Sequence, residues 1–142
     1  MYSLMETVSR KRVIRYRHVS KNAFPLDFVS KPPLQSPLNS REFNAIKDSG
    51  DPLFILFGAP WCGHSRTTMP MWIELQTVHP GIVTTVDCTS MRDDCHLCGV
   101  NGYPTFMLFH EGKKVEYNGV RTVHAWDAWL RKQLPKVFSV NE

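Results

Sequence analysis

Residues 53–57, with the sequence LFILF, form the longest continuous apolar run in this chain of 142 residues. Turn residues bound the run on both sides, with SGDP before it and GAP after it. The run is far too short to cross a membrane, and it is typical of a strand buried on both faces of a sheet. The chain is therefore expected to cover this strand with helices on both sides.

Helices and strands alternate on either side of this run. Asn39 and Glu42 have the spacing of a capping box, which predicts a helix from about Ser40 with Phe43 and Ile46 directed inward. The later elements are predicted as a helix from Cys62 to HPG, a strand at 82–86, a helix at 92–97, hairpin strands in PTFMLFHEG and KKVEYNG, and a helix at 122–134. This order predicts an α/β fold with a central mixed β-sheet flanked by helices.

Residues at helical spacing occur in two of these helices. They are Met69, Trp72, Ile73 and Gln76 in the helix that begins at the cysteine, and Val123, Trp126, Trp129 and Leu130 in the last helix. Pro70 lies within the first of these patterns and is expected to kink that helix.

The basic charge is concentrated at the start of the chain. Residues 1–40 hold seven Lys and Arg against two acids, whereas residues 41–142 hold ten against eleven. We interpret residues 1–38 as a basic, Pro- and Ser-containing extension or linker, residues 39–138 as one domain and residues 139–142 as a tail. The extension is consistent with an organelle transit segment, a membrane-surface or nucleic-acid patch, or a solvated tail, and part of NAFPLDFVS is a candidate edge strand. The nearly neutral domain is not expected to bind nucleic acid.

Cys62 lies where a strand ends and a helix begins. The free N–H groups and the dipole of a helix N-terminus favour an anion there, which lowers the pKa of a thiol and makes it more nucleophilic. Trp61 is expected to limit solvent access on one side. Ser65 stands one turn further, where a second cysteine would resolve a mixed disulfide; its hydroxyl forms no S–S bond but can donate a hydrogen bond to the thiolate. The alternative interpretation is an unreactive, half-buried cysteine.

Several separated motifs carry a resemblance to a known family. APWCGHS at 59–65 resembles the Ala-Pro-Trp-Cys-Gly-His-Cys active site of protein disulfide isomerase domains, and CGVNGYPT at 98–105 and VDCT at 86–89 match in the same order, as does YNGVR at 117–121. The resemblance covers about residues 40–135 and implies a thioredoxin fold. Pro70 matches the proline within the family's active-site helix.

The resemblance also implies roles for individual residues. The candidate catalytic residues are Trp61, Cys62, Gly63, His64 and Ser65, with His64 favouring the thiolate of its neighbour. Tyr103, Pro104 and Thr105 are the candidate substrate-binding residues, and the Tyr103–Pro104 bond is expected to be cis. Arg121 matches the mobile arginine that tunes the second cysteine of the family; its alternative interpretation is a surface arginine at a helix start.

The departures from the family pattern concern one step of its chemistry. The second thiol is replaced by Ser65, the buried glutamate that accepts its proton by Leu56, and the lysine partner of that glutamate by Thr85. All three parts serve to resolve the mixed disulfide. Their joint loss indicates a natural single-cysteine site rather than one engineered replacement, although Leu56 also avoids an unpaired buried carboxylate.

The remaining cysteines are Cys88, Cys95 and Cys98. The resemblance implies a structural disulfide between Cys88 and Cys95, as expected in an oxidising compartment. Cys98 is then a candidate regulatory or dimer-forming thiol, or a small buried apolar residue. The CHLC segment, with Cys88 and His96, is a weak candidate for a zinc site, because its ligands are crowded into one short segment without a second paired motif.

Three functions follow as expectations. The first is a protein disulfide isomerase-like enzyme of monothiol type, which isomerises or deglutathionylates through Cys62 and is a poor oxidase or reductase. The second is a module that retains client proteins without turnover. The third, less favoured, is a monothiol glutaredoxin-like iron–sulfur carrier.

No cofactor, metal or membrane span is expected. The partners are client polypeptides with cysteines and glutathione, and the resemblance points to the endoplasmic reticulum lumen or another oxidising compartment, although we find no signal peptide or retention tail.

Overall fold

The structure, a computed structural model, describes residues 32–138, and the expected edge strand within NAFPLDFVS lies outside them. Its elements are α1 (Ser40–Ser49), β1 (Leu53–Gly58), α2 (Gly63–Val78), β2 (Val83–Asp87), α3 (Arg92–Leu97), β3 (Thr105–His110), β4 (Lys113–Tyr117), α4 (Val123–Gln133) and α5 (Pro135–Phe138). All but α5 were predicted from the sequence, within one or two residues at each end. None of these helices has the length and hydropathy needed to span a membrane.

The four strands form one mixed sheet in the order β2-β1-β3-β4. β1 runs parallel to β2 and antiparallel to β3, and β3 and β4 form the predicted antiparallel hairpin. Every residue of β1 is buried, because the strand has neighbours on both sides and helices over both faces. The α/β thioredoxin fold expected from the sequence is thus confirmed.

Side chains on alternate positions of β1 enter two separate cores. Leu53, Ile55 and Phe57 pack with Phe43 of α1 on one face of the sheet. On the opposite face, members of the second core come from β1, α2, β3 and α4; they include Phe54, Leu56, Trp72, Phe106, Trp126 and Leu130. The large rings in this second core meet edge-on or tilted, as aromatic pairs prefer, with Trp72 and Trp126 4.9 Å apart between centroids.

The sequence predicted the start of α1 better than the buried face of α2. The predicted capping box of α1 is present, with the Glu42 N–H donating to Asn39 Oδ1 at 2.8 Å. The inner face of α2 was predicted less well, because Ile73 is 50% exposed whereas Leu75 is fully buried. The buried positions of α2 are Ser65, Thr68, Trp72 and Leu75, so the face turned to the sheet follows a 3-4-3 spacing that passes over position 73.

Residues 34–38 run along the outer side of β2. The Leu34 N–H donates to the Pro80 carbonyl at 2.7 Å and the Leu38 N–H to the Thr85 carbonyl at 3.0 Å. The Thr84 hydroxyl donates to the Gln35 carbonyl at 2.6 Å. Leu38 is buried in the first core. The last residues of the segment interpreted as a linker therefore contact the domain along its sheet.

A buried histidine joins the end of α2 to α4. His79 Nε2 lies 2.6 Å from Asp127 Oδ1, and Arg131 donates to the other oxygen of the same carboxylate at 3.0 Å. Burial lowers the pKa of His79 below 6.5, outweighing the hydrogen bond to Asp127 that would raise it. Burial opposes ionisation of Asp127 too, but its hydrogen bonds with His79 and Arg131 lower its pKa.

This histidine makes stability depend on pH. Between the lowered pKa of folded His79 and its unfolded value of 6.5, the unfolded chain binds more protons, so the free energy of unfolding is expected to fall as the pH drops below 6.5. Urea unfolding at about pH 7.5 and about pH 5.5 measures this slope. His79→Gln should reduce it, whereas the same change at the exposed His124 should not. Equal slopes in all three proteins would contradict the assignment.

Candidate functional site

Cys62 lies between the end of β1 and the start of α2. It occupies the N-cap position of α2 with an extended backbone, φ −86° and ψ 123°. Its N–H donates to the Ala59 carbonyl at 3.0 Å, and its own carbonyl accepts from the Arg66 N–H at 3.0 Å. These backbone bonds fix the thiol at the positive end of a 16-residue helix, as the sequence predicted.

The thiol of Cys62 is free, half-buried and surrounded by donors. The backbone N–H of Ser65 is the largest influence that lowers the pKa of Cys62 below its ordinary value, and desolvation opposes it. The N–H of His64, the Ser65 hydroxyl and the charge of Arg66 lower this pKa further. A lower pKa increases the thiolate fraction near neutral pH, and the thiolate is the nucleophilic form.

The loop before β3 lies against the same thiol. Cys62 Sγ donates to the Tyr103 carbonyl over 3.8 Å, and the Tyr103–Pro104 peptide is cis, as the resemblance implied. The ring of Trp61, which is 65% exposed, meets the Tyr103 ring edge-on at 5.7 Å. Thr105 begins β3, and its hydroxyl donates to the Gly102 carbonyl at 2.7 Å. The structure therefore brings the predicted nucleophile and the predicted substrate-binding residues together.

Ser65 occupies a tight, buried position behind the thiol. It is 2% exposed, and its Oγ accepts a hydrogen bond from the Ala59 N–H at 3.4 Å. A Cβ at Gly58 would approach Ser65 Oγ to 2.9 Å and Leu56 Cδ2 to 3.0 Å, so a side chain at this position would force Ser65 to shift. Leu56 thus lies next to Ser65, and it is paired in register with Thr85 of β2. The three departures from the family motif are neighbours in space.

The other motif residues are more loosely placed. The His64 imidazole is exposed, and within residues 32–138 it makes no hydrogen bond to Cys62; the backbone of His64 acts on the thiol instead. Gly63 has open space where a Cβ would stand. Arg121 lies with its guanidinium 5.5 Å from the centre of the Phe106 ring, beside a cleft of about 210 Å³ that Pro104 also lines. Neither Cys62 nor Ser65 lines this cleft.

The remaining cysteines lie around α3. Cys88 and Cys95 form the disulfide implied by the resemblance, with their Cα atoms 5.8 Å apart. Two of the four residues considered for zinc are thus bonded to each other, and no group of three or more metal ligands exists in the described part of the chain. Cys98 is a free thiol, 7% exposed, whose pKa is raised by burial. Formation of a dimer through Cys98 would require this region to open.

Arg66 is a site residue that the sequence reasoning missed. It lies one turn after Cys62 on α2, and its guanidinium Nη1 donates to the carbonyls of Pro60 and Trp61 at 3.5 Å and 3.4 Å. It thereby holds a positive charge near the thiol. The signal in the sequence was its spacing of four residues from Cys62, which places two residues on the same face of a helix.

Comparisons with known proteins agree with the fold. The family described as thioredoxin matches residues 35–132. Protein disulfide-isomerase A3 of Gallus gallus is 38% identical over 84 residues, which are 57% of this chain and 17% of that protein. The thioredoxin domain-containing protein 5 homolog of Drosophila melanogaster is 36% identical over 93 residues, which are 61% of this chain and 22% of that protein. The chain thus spans about a fifth of the length of these curated relatives.

A solved structure gives the same result for the fold. The J-Trx1 fragment of ERdj5 superposes with a TM-score of 0.68 at 28% identity, covering 84% of this chain and 62% of that one.

Proposed function

This chain belongs to the thioredoxin family, and we propose that it exchanges thiols and disulfides through a single nucleophilic cysteine, Cys62. Thiol–disulfide exchange of the protein disulfide isomerase kind is supported at the level of the family by the relatives described above. The observation that carries the monothiol proposal is the pairing of an activated Cys62 thiol with a buried serine hydroxyl one helical turn away.

The first step is attack by the Cys62 thiolate on a client disulfide. A bond forms between Cys62 Sγ and one client sulfur, the client S–S bond breaks, and the second client sulfur leaves as a thiolate that takes a proton from solvent. The N–H groups of Ser65 and His64 favour the attacking anion. The Tyr103 carbonyl, which lies against Cys62 Sγ, marks where the client backbone is held beside the sulfur.

The second step depends on a thiol other than Ser65. Its hydroxyl cannot displace the client, so release requires a thiol of the client itself or a small thiol such as glutathione. Release by another client thiol rearranges disulfides without net oxidation, which is isomerisation. Where the client disulfide is one with glutathione, Cys62 takes up the glutathione sulfur and a second glutathione removes it, which is deglutathionylation. Net reduction of any other client disulfide requires two molecules of an external thiol, so the site by itself is a poor two-electron oxidase or reductase.

The client is proposed to bind on the surface formed by Trp61, Tyr103, Pro104 and Thr105. The exposed indole of Trp61 and its edge-on contact with Tyr103 offer an apolar surface next to the reactive sulfur. The Cys88–Cys95 disulfide supports an oxidising compartment, and the resemblance points to the endoplasmic reticulum lumen.

A second candidate function is retention of clients without turnover. It is favoured by Ser65, a buried hydroxyl that forms no S–S bond, so the site itself offers no thiol to resolve the mixed disulfide. Mixed disulfides at Cys62 would then persist until a reductant reaches them. The two functions differ in the lifetime of that bond.

The lifetime of the mixed disulfide between Cys62 and a model disulfide peptide tests both functions. We expect an adduct that is stable in the absence of added thiol, is released by millimolar glutathione, and is abolished in Cys62→Ala. The measurement is acid-quenched mass spectrometry, with Cys98→Ser as the matched control because Cys98 is also a free thiol.

Each outcome of this experiment decides between the candidates. Prompt release by glutathione means a monothiol enzyme that turns over, whereas a bond that survives glutathione means a retention module. Absence of an adduct at Cys62 in the wild-type protein would refute both.

The protein should also stay colourless when iron and glutathione are supplied; a stable brown cluster would favour the iron–sulfur carrier instead.

A further inference from the structure

The proposed reaction at Cys62 needs a second thiol to release the client, and the site described above does not supply one. Within residues 32–138, the cysteines other than Cys62 are the bonded pair Cys88–Cys95 and the buried Cys98, so no accessible second thiol lies in the described part of the chain. If Cys62 captures a client as proposed, an external thiol must complete the reaction. The surface around Cys62 is therefore a place to look for a binding site for that thiol.

An open groove of about 600 Å³ is lined by Trp61 and Tyr103, both of which adjoin Cys62. Trp61 precedes Cys62 in the chain and the Tyr103 carbonyl accepts from Cys62 Sγ, so the wall that Trp61 and Tyr103 form connects the groove to the residue that carries the thiol. The Cys88–Cys95 disulfide and Val100 also line it. Its volume is within the range of small-molecule sites, roughly 300–1,000 Å³.

Two opposite charges line the same groove. Arg92 and Asp93, the first two residues of α3, both line it and both are exposed. Neither forms an ion pair with any residue that the structure describes. The neighbouring Asp94, in contrast, accepts hydrogen bonds from Ser40 and Asn44 on α1. The groove therefore presents a guanidinium and a carboxylate that have no partners in the described fold.

We propose that this groove binds the small thiol that releases clients from Cys62, and that this thiol carries an α-amino-carboxylate head group. A carboxylate of the ligand pairs with Arg92 and its ammonium group with Asp93, so one zwitterionic head group satisfies both charges. The thiol end of the ligand then points along the wall formed by Trp61 and Tyr103 toward Cys62. The inference rests on the proposed function, and glutathione is the probe that meets this chemical description.

The exchange balances without another reactant. The bound thiol loses its proton to solvent, and its sulfur attacks Cys62 Sγ in the mixed disulfide; the new bond joins the ligand sulfur to Cys62, and the client leaves as a thiolate that takes up a proton. A second molecule of the small thiol attacks the ligand sulfur and frees the Cys62 thiolate. In total, two small thiols are oxidised to one disulfide, and their two electrons reduce the client disulfide to two thiols.

The test separates release from capture. The Cys62 adduct of a disulfide peptide is isolated, and its release is followed with glutathione and with 2-mercaptoethanol, which has neither an amino group nor a carboxylate. We expect release by glutathione to saturate with concentration, and release by 2-mercaptoethanol to rise linearly. Arg92→Gln and Asp93→Asn should each slow glutathione release by about two- to fivefold, the effect of losing one exposed charge pair, and leave release by 2-mercaptoethanol unchanged.

Lys132→Gln is the matched control, because Lys132 is also an exposed cation, lies on α4 and does not line the groove. Equal slowing with both thiols, or no slowing with either, would overturn the proposal. A change in peptide capture instead of release would mean that the groove holds a client segment, which also overturns it.

A titration with S-methylglutathione keeps the two proposals distinguishable. This ligand cannot exchange disulfides, so it reports binding even if no adduct forms at Cys62. Backbone NMR shifts at Arg92, Asp93 and Tyr103 that disappear in the Arg92→Gln and Asp93→Asn variants would support the groove as the site. Absence of such shifts in the wild-type protein would overturn the groove, whatever the adduct experiment shows.

Discussion

Replacing Ser65 by cysteine is expected to shorten the lifetime of the Cys62 mixed disulfide at least about a hundredfold, because a thiol held on the same helix attacks at a far higher effective concentration than a thiol in solution. Ser65 lies one turn after Cys62, and its hydroxyl already lowers the pKa of that thiol. The variant should also gain the ability to reduce a disulfide by two electrons, by closing a disulfide between Cys62 and the introduced thiol.

The measurement is release of a labelled peptide from Cys62 without added thiol, with Ser65→Ala as the control that keeps the long lifetime. The sulfur is larger than the oxygen it replaces, and Gly58 and Ala59 lie close to it, so circular dichroism must first show that the variant folds. An unchanged lifetime in a folded variant would mean that Ser65 does not stand where a resolving thiol acts.

Replacing Leu56 by glutamate is expected to destabilise the fold by about 3–5 kcal/mol near neutral pH, the usual effect of an uncompensated buried charge. Leu56 is fully buried in the second core between strands of the sheet. Its register partner Thr85 carries no positive charge, and the Thr85 hydroxyl is already hydrogen-bonded to Ser36 Oγ at 2.8 Å. The sheet as it stands therefore has no counter-charge for a carboxylate at this position.

Urea unfolding measures this effect, with Leu56→Met as the control of similar volume that should change the free energy of unfolding by less than about 1.5 kcal/mol. Burial raises the pKa of the new carboxyl, so the destabilisation should shrink as the pH falls and the group becomes neutral. Adding Thr85→Lys should recover part of the loss. A Leu56→Glu variant as stable as the wild type would show that water reaches this position.

The sequence predicted the architecture well, because its strongest signals are local. The apolar run at 53–57, the capping box at Asn39 and the Glu-Gly turn between β3 and β4 each depend on neighbouring residues, and each is present in the structure. Ile73 was placed wrongly because the face that a helix buries depends on how it docks on the sheet. The short helix α5 was missed since its four residues carry no periodic pattern.

The candidate site was predictable only in part. The motif located Cys62, Ser65 and Pro104, and the structure brings them to one end of the sheet. Arg92 and Asp93 were not singled out, because two exposed charges at the start of a helix look like an ordinary solvated surface in a sequence. Their common groove with Trp61 and Tyr103 arises from separate segments of the chain that only the fold brings together.

The segment that runs along β2 has a consequence for association between molecules. A strand at the margin of a sheet offers unpaired N–H and C=O groups that can template edge-to-edge aggregation. Hydrogen bonds from residues 34–38 cover part of that margin at β2. At the opposite margin, β4 carries the exposed charged side chains of Lys113, Lys114 and Glu116, which oppose edge-to-edge pairing. A chain shortened to begin after Leu38 would keep the charged side chains along the margin of β4. It would lose the hydrogen bonds that cover the margin of β2.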